Sequence, residues 1–322
     1  MCLTDVTYFL QVYLASWFGT EVAVKILIVG HVASASEAQR ALSLSAPIMQ
    51  KLEAEASLLA SLRHPHVVNF LGICHEPPCI VTEFCARGSL CDLLAAARSD
   101  PEVAAQLSWR RRLTMAADAA VGMLYLHSRS SPAPIIHRDL KSPNLLVDAN
   151  WSVKVTAALR ESFARRSCVA IPGIALHRCI NPVPTDFNLS KILEDTTHST
   201  SMAAMNPRWL APEVMRGGRA TKASDVYSFG IVLWELLTWQ LPFGPANPWH
   251  LVAHVLAGGR LDVHPIDALP GPDTAAFGGG GLEGYLALMR CCWAQAPEQR
   301  PGFQQVVQEL RALLKLAPPE QQ

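Results

Sequence analysis

Apolar and polar residues alternate near the start of the chain. Residues 12–17 (Val-Tyr-Leu-Ala-Ser-Trp) and 21–27 (Glu-Val-Ala-Val-Lys-Ile-Leu) are rich in β-branched and aromatic side chains, and Phe18-Gly19-Thr20 between them is a hairpin signal. The pattern predicts two strands. Small and polar residues over 33–46 predict a loop. The period then changes, with Ile48, Leu52, Leu58, Leu59 and Leu62 at helical intervals among Lys and Glu. His64-Pro65 ends that helix, because the proline ring disfavours helical geometry in the residue before it. Residues 67–73 and 79–84 predict two more strands, and Gly88 breaks the chain.

Beyond Gly88 the pattern becomes helical. Strong apolar helices are predicted over 113–127, 224–239, 285–293 and 303–316, with Asp225 near the start of the second. Pro and Gly over 265–281, ending in a glycine-rich run at 276–281, predict a long surface connection. A small β-rich part followed by a larger helical part is an α+β pattern with two lobes.

Composition narrows the partners. Half of the 322 residues are hydrophobic, ample for a packed core. Lys plus Arg equals Asp plus Glu at 27 each, so neither a nucleic-acid partner nor a polybasic membrane patch is expected. The 9 cysteines show no paired Cys-x-x-Cys spacing, so zinc is not expected, and free thiols in a reducing, cytoplasmic compartment are. The first residues lack a basic region and are interrupted by Asp5 and Gln11, unlike a signal peptide. No run reaches the roughly 20 apolar residues of a membrane span. The apolar run 230–237 is short, carries Glu235 and reads as a buried helix.

The most informative stretch is 136–148, Ile-His-Arg-Asp-Leu-Lys-Ser-Pro-Asn-Leu-Leu-Val-Asp. Asp139 can accept a hydroxyl proton, Asn144 offers a carbonyl oxygen to a hard cation, and Lys141 can neutralise a phosphoryl group in transfer. A base, a cation ligand and a point charge on one loop suit phosphoryl transfer, whose catalysis is mostly positioning and charge stabilisation.

This run resembles the catalytic loop of protein kinases, and the resemblance extends over nearly the whole chain. It is closest to the tyrosine-kinase-like group that includes Raf-like and mixed-lineage kinases. It implies a bilobal kinase fold, with a β-rich N-lobe over 1–84, a helical C-lobe over 85–316 and a tail over 317–322. Val22-Ala23-Val24-Lys25 resembles the motif whose lysine contacts the ATP phosphates, and Glu55 stands at the spacing of the helix glutamate that pairs with it, with Glu53 as the competing candidate. The run 81–90 resembles the inter-lobe hinge. Thr82 then guards the adenine pocket, the backbone of Glu83 and Cys85 bonds the adenine edge, and Val12, Ala23 and Leu146 sandwich the ring. Asp186-Phe187-Asn188 stands where the family has Asp-Phe-Gly, which implies that Asp186 and Asn144 hold Mg²⁺. The resemblance also implies an ion pair between Glu213 and Arg300, bracing of the catalytic loop by Asp225, and a stacked column of Leu59, Phe70, His137 and Phe187. Lys141, two residues after Asp139, follows the serine/threonine pattern. The implied activity is transfer of the ATP γ-phosphoryl group to Ser or Thr of a protein substrate. An upstream kinase acting on Ser190, Thr196, Thr197, Ser199, Thr200 or Ser201, with the phosphate read by Arg138, fits the same pattern.

Three departures stand against the resemblance. The glycines of the phosphate-covering loop fall on Asp5, Thr7 and Leu10. Met205-Asn206-Pro207-Arg208 replaces a Gly-Thr pair. Residues 157–185 separate Thr156 from Asp186; without them, 153–156 runs directly into Asp186 as an uninterrupted motif. The segment reads as a retained intron or gene-model error, or as a regulatory loop projecting into solvent. The lost glycines leave a second function open, a pseudokinase scaffold with weak or no ATP binding.

Overall fold

The computed structural model describes residues 8–29, 56, 59–75, 78–130, 133–156, 174–181, 207–263, 265, 268–272 and 281–318. These fall into two compact units. One comprises the described residues of Met1–His64, Val68–Cys85 and Ala157–Ala204, the other those of Pro65–Val67, Ala86–Thr156 and Met205–Gln322.

The first unit is built on a sheet. Strand β1 (Tyr8–Trp17) returns through a two-residue turn into β2 (Thr20–Val29), pairing Trp17 with Thr20. Both turn residues have positive φ, 48° at Phe18 and 80° at Gly19. That is the hairpin turn whose twist matches the twist of the strands it joins. Glycine takes such a φ freely. Phe18 takes it against its Cβ, and the residue is 80% exposed. Both strands exceed their predicted spans, because ladder pairing extends them past the alternating residues. β3 (Phe70–His75) and β4 (Pro78–Glu83) form a second hairpin. Val67, predicted as part of that strand, belongs to the second unit, where it makes a single bridge to Val155. The sheet order is β3-β4-β2-β1, with a fifth strand, β7 (Ile174–Asn181), beyond β1. Ala15, Val22, Val24, Ile26, Cys79 and Val81 form the core on one face, with Tyr13, Trp17, Leu71 and Cys74 packed against it.

The fifth strand, β7 (Ile174–Asn181), comes from the interrupting segment and lies antiparallel to β1. The expectation that this segment projects outward fails for 174–181, which are held in the ladder. Of the helix predicted over 48–62, only Ala56, Leu59 and Ala60 are described helical residues; Glu53 and Glu55 lie outside the described residues.

The second unit is mainly helical: α1 (Leu90–Ser99), α2 (Pro101–Gln106), α3 (Trp109–Ser128), α4 (Pro212–Met215), α5 (Lys222–Thr238), α6 (Pro248–Leu256), α7 (Gly281–Cys292) and α8 (Phe303–Leu316). A two-stranded ladder, β5 (Leu145–Val147) with β6 (Val153–Val155), lies beside α3. Local chemistry sets the helix starts. Ser89, Asp100, Ser108 and Asn247 accept first-turn N–H groups, and Thr221 and Ser224 cap each other reciprocally at α5. In mid-α3, Gly122 lets the His66 carbonyl approach so closely that any Cβ would collide with it. α3 packs on α8 and α5, and α5 on α7. Every residue of α5 from Ser224 to Thr238 is buried. Among the described residues no helix is long and apolar enough to cross a membrane.

Candidate active site

In the helical unit the chain leaves α3 and enters a loop that runs to a single 3-10 turn, Ser142–Asn144, before β5. Asp225, in the first turn of α5, holds this loop from below. Its Oδ2 accepts the N–H of His137 and its Oδ1 the N–H of Arg138, each at 2.8 Å. Oδ2 also lies 2.8 Å from His127 Nε2. Arg138 sits at φ 66°, in the left-handed region that costs a non-glycine residue of order 1 kcal/mol. Two charge-assisted bonds into one buried carboxylate are enough to hold it there.

His137 is buried and its pKa is lowered, chiefly by that burial, so the ring is neutral. Its Nδ1 accepts from the Asp139 N–H at 3.3 Å, which leaves the proton on Nε2, and Nε2 donates to the Thr156 carbonyl at 2.6 Å. The imidazole thus joins the loop to the end of β6.

Asp139, Lys141 and Asn144 come together on this loop. Lys141 Nζ is 3.2 Å from Asp139 Oδ2. Asn144 Nδ2 donates to the Asp139 carbonyl at 2.7 Å and to Oδ2 at 3.0 Å. Oδ2 therefore carries two donors, and among the described residues none donates to Oδ1, the oxygen that can take a hydroxyl proton. With Nδ2 so engaged, Asn144 Oδ1 is an oxygen fit to ligate a hard cation. The loop's far side is anchored as well: Ser142 Oγ donates to Glu235 Oε1 at 2.6 Å, and Trp209 Nε1 to Glu235 Oε2 at 2.8 Å. Burial pushes the Glu235 carboxyl up to about 8, with both donors opposing. The sequence showed Glu235 only as a charge in an apolar run; its partners, distant along the chain, were not legible.

Arg300 meets Glu213 in a two-pronged contact, with Nη1–Oε1 at 2.7 Å and Nη2–Oε2 at 2.8 Å. It donates further to the carbonyls of Ala294 and Ala223.

In the sheet unit, register puts Lys25 opposite Val12 and Ile80, and Ala23 opposite Leu14 and Thr82. Directly opposed residues share a face, so Val12, Ala23, Lys25 and Thr82 occupy one face, away from the core face. Leu14 and Ile80 belong to the same set and were missed, although the period of two marks them. Glu83 is held to Asn69 twice: its N–H donates to the Asn69 carbonyl at 3.0 Å, and its Oε1 accepts the Asn69 N–H at 2.6 Å. Cys85 is buried. Leu146 lies in β5 of the helical unit, opposite Lys154. Leu59, Phe70 and His137 are each buried. Asp5, Thr7, Asp186, Phe187, Asn188 and Asn206 lie outside the described residues. Leu10, read as the last position of the phosphate loop, has its backbone in the β1–β2 ladder opposite Leu27.

The family model for protein tyrosine and serine/threonine kinases matches residues 7–163 and 183–310. The chain belongs to this kinase family. The serine/threonine-protein kinase CTR1 of Arabidopsis thaliana is 39% identical to it over 312 residues, 96% of this chain and 30% of that protein. The probable serine/threonine-protein kinase drkD of Dictyostelium discoideum is 35% identical over 94% of this chain and 19% of its own length. Human mitogen-activated protein kinase kinase kinase 11 is 34% identical over 94% of this chain and 30% of its own length. The kinase domain described here thus spans between about a fifth and a third of these relatives. CTR1 is a Raf-like kinase and mitogen-activated protein kinase kinase kinase 11 a mixed-lineage one, both of the tyrosine-kinase-like group, and the fold is that of the family: a β-sheet N-lobe and a helical C-lobe.

Proposed function

We propose that this kinase domain transfers the γ-phosphoryl group of ATP to serine or threonine hydroxyls of protein substrates. The observation that carries the reading is the Asp139–Lys141–Asn144 cluster on a loop clamped by Asp225. In this reading Asp139 Oδ1 takes the acceptor proton, and Lys141 beside it offsets charge on the phosphoryl group. Lys25, paired with Glu55, contacts the nucleotide phosphates. Val12, Ala23, Thr82, Glu83, Cys85 and Leu146 receive the adenine. Asn144 and Asp186 hold Mg²⁺, which when bound neutralises phosphate charge. Lys141 and the names of the relatives support serine or threonine as acceptor. Arg138 is exposed beside the base, which supports control by an upstream kinase acting on the segment after Asp186.

The test is transfer of labelled phosphate from ATP to a generic basic protein, together with thermal shift on adding ATP and Mg²⁺. Transfer that is lost in Asp139→Asn while the thermal shift is kept supports the kinase. A parent chain that gives neither signal is a scaffold.

A further inference from the structure

Two thiols face each other across the hairpin of β3 and β4. Cys74 is the register partner of Cys79 in that ladder. Among the described residues no other two cysteines are register partners. Opposed residues share a face of the sheet, and their Cα atoms are roughly 4.5–5.5 Å apart, within the span of a disulfide. Here the side chains have met. A hydrogen bond links the two thiols, and the Cys74 N–H donates to the Cys79 sulfur. Both residues are present as thiols.

The pair lies away from the proposed nucleotide contacts. Cys79 belongs to the core face with Val22, Val24 and Val81, and Cys74 packs against that cluster. Val12, Ala23, Lys25 and Thr82 occupy the other face. A buried cysteine can serve as a small apolar filler. That role accounts for Cys79, which is 4% exposed. It does not account for Cys74, half-buried on β3, whose thiol meets the buried one.

The two environments divide the chemistry. Burial, and then the neighbouring Cys74, pushes the Cys79 thiol up to about 11, so this sulfur keeps its proton at neutral pH. Cys74 is the sulfur that an oxidant in solution reaches first.

We propose that Cys74 and Cys79 are a redox modification site, a dithiol that a peroxide converts reversibly to a cross-strand disulfide. Hydrogen peroxide transfers one oxygen to the Cys74 sulfur, giving a sulfenic acid and water. The Cys79 sulfur then attacks the sulfur of that group. The S–S bond forms, the S–O bond breaks, and the hydroxyl leaves as water with the Cys79 proton. The two thiols give up two electrons in all, and the peroxide takes them. A dithiol reductant reverses the change by exchange.

Peptide mapping of the full chain tests this. The protein is treated with hydrogen peroxide, then unfolded in urea with N-ethylmaleimide, which labels every remaining thiol. Trypsin and Glu-C protease then cut after Arg63 and Glu83, isolating residues 64–83, which contain Cys74 and Cys79 and no other cysteine. The bond after Glu76 resists cleavage because proline follows. The exposed Cys291 is the benchmark. At the peroxide dose that first oxidises it, peptide 64–83 should lose both labels together, and dithiothreitol before labelling should restore both. A peptide that keeps both labels at that dose, that carries one, or whose loss dithiothreitol does not reverse overturns the proposal. The order of attack is read from two variants with dimedone, which captures sulfenic acids. Cys79→Ser should be captured at Cys74, and Cys74→Ser should be captured at Cys79 at most about a tenth as often. Equal capture overturns Cys74 as the sulfur attacked first. If a variant does not fold, the map of the parent chain decides.

Discussion

Asp225 Oδ1 and the backbone N–H of Arg138 are 2.8 Å apart, joining the first turn of the buried helix α5 to the residue just before the proposed base. The same carboxylate accepts from His137 and contacts His127, so it is the shared anchor of three groups. Asp225→Asn replaces one acceptor oxygen by a donor facing an N–H. The expected result is a stability loss of roughly 2–4 kcal/mol, read by urea unfolding. Activity should fall further than the unfolded fraction accounts for, because the Arg138 backbone is no longer held.

Asp139→Asn is expected to lower phosphoryl transfer by roughly a hundred- to ten-thousand-fold. ATP affinity should change little, because Asp139 faces Lys141 and Asn144 within its own loop. Isothermal titration with Mg·ATP beside a transfer assay separates the two effects. Comparable transfer by variant and parent would remove Asp139 from the base role.

Glu235 makes stability depend on pH. Its folded pKa, about 8, lies above the ordinary carboxylate value of 4.5 because it is buried. The unfolded chain therefore releases this proton first, while the fold retains it. The contribution is fully present below about pH 4.5, declines as pH rises, and is gone once pH has passed about 8. Glu235→Gln resembles the protonated side chain and can still meet both Ser142 and Trp209. Thermal midpoints measured from pH 5 to pH 9 should fall in the parent and flatten in the variant, which should be the more stable of the two at the alkaline end. Parallel curves would rule out Glu235 as the source.

Arg300→Lys keeps the charge but loses the two-pronged contact with Glu213, while Arg300→Ala removes the charge as well. Truncation should cost roughly 3–5 kcal/mol. Lysine should recover only part of this, since a point charge cannot serve Glu213, Ala294 and Ala223 together. Equal stability of the lysine variant and the parent would mean that the fork geometry is not what matters.

What could be read from the sequence was what depends on neighbours along the chain. The alternation at 12–17 and 21–27 marked a hairpin, and the helical period marked α3, α5, α7 and α8 within a few residues. The motif around Asp139 named its own chemistry because all three groups lie within six positions. The shorter helices α1, α2 and α6 carried cap signals at Ser89, Asp100 and Asn247 but too little periodic length to stand out. Strand β7 was missed for a different reason. Its partner β1 lies far away in the chain, and no local pattern names that partner. The Glu235 contacts were hidden in the same way, by the 93 positions between Ser142 and Glu235.

A helix as enclosed as α5 has no side left to show to water at any stage of assembly. Ordinary surface helices can form early and dock later through one apolar stripe. From Ser224 to Thr238, α5 exposes no such distinction, so it gains its environment only as α3, α7 and the loop carrying Asp139 close around it. Its amides should be the last in this unit to exchange with deuterium, at a rate set by global opening rather than by fraying. Loosening any one of its neighbours should then speed exchange along the whole helix at once.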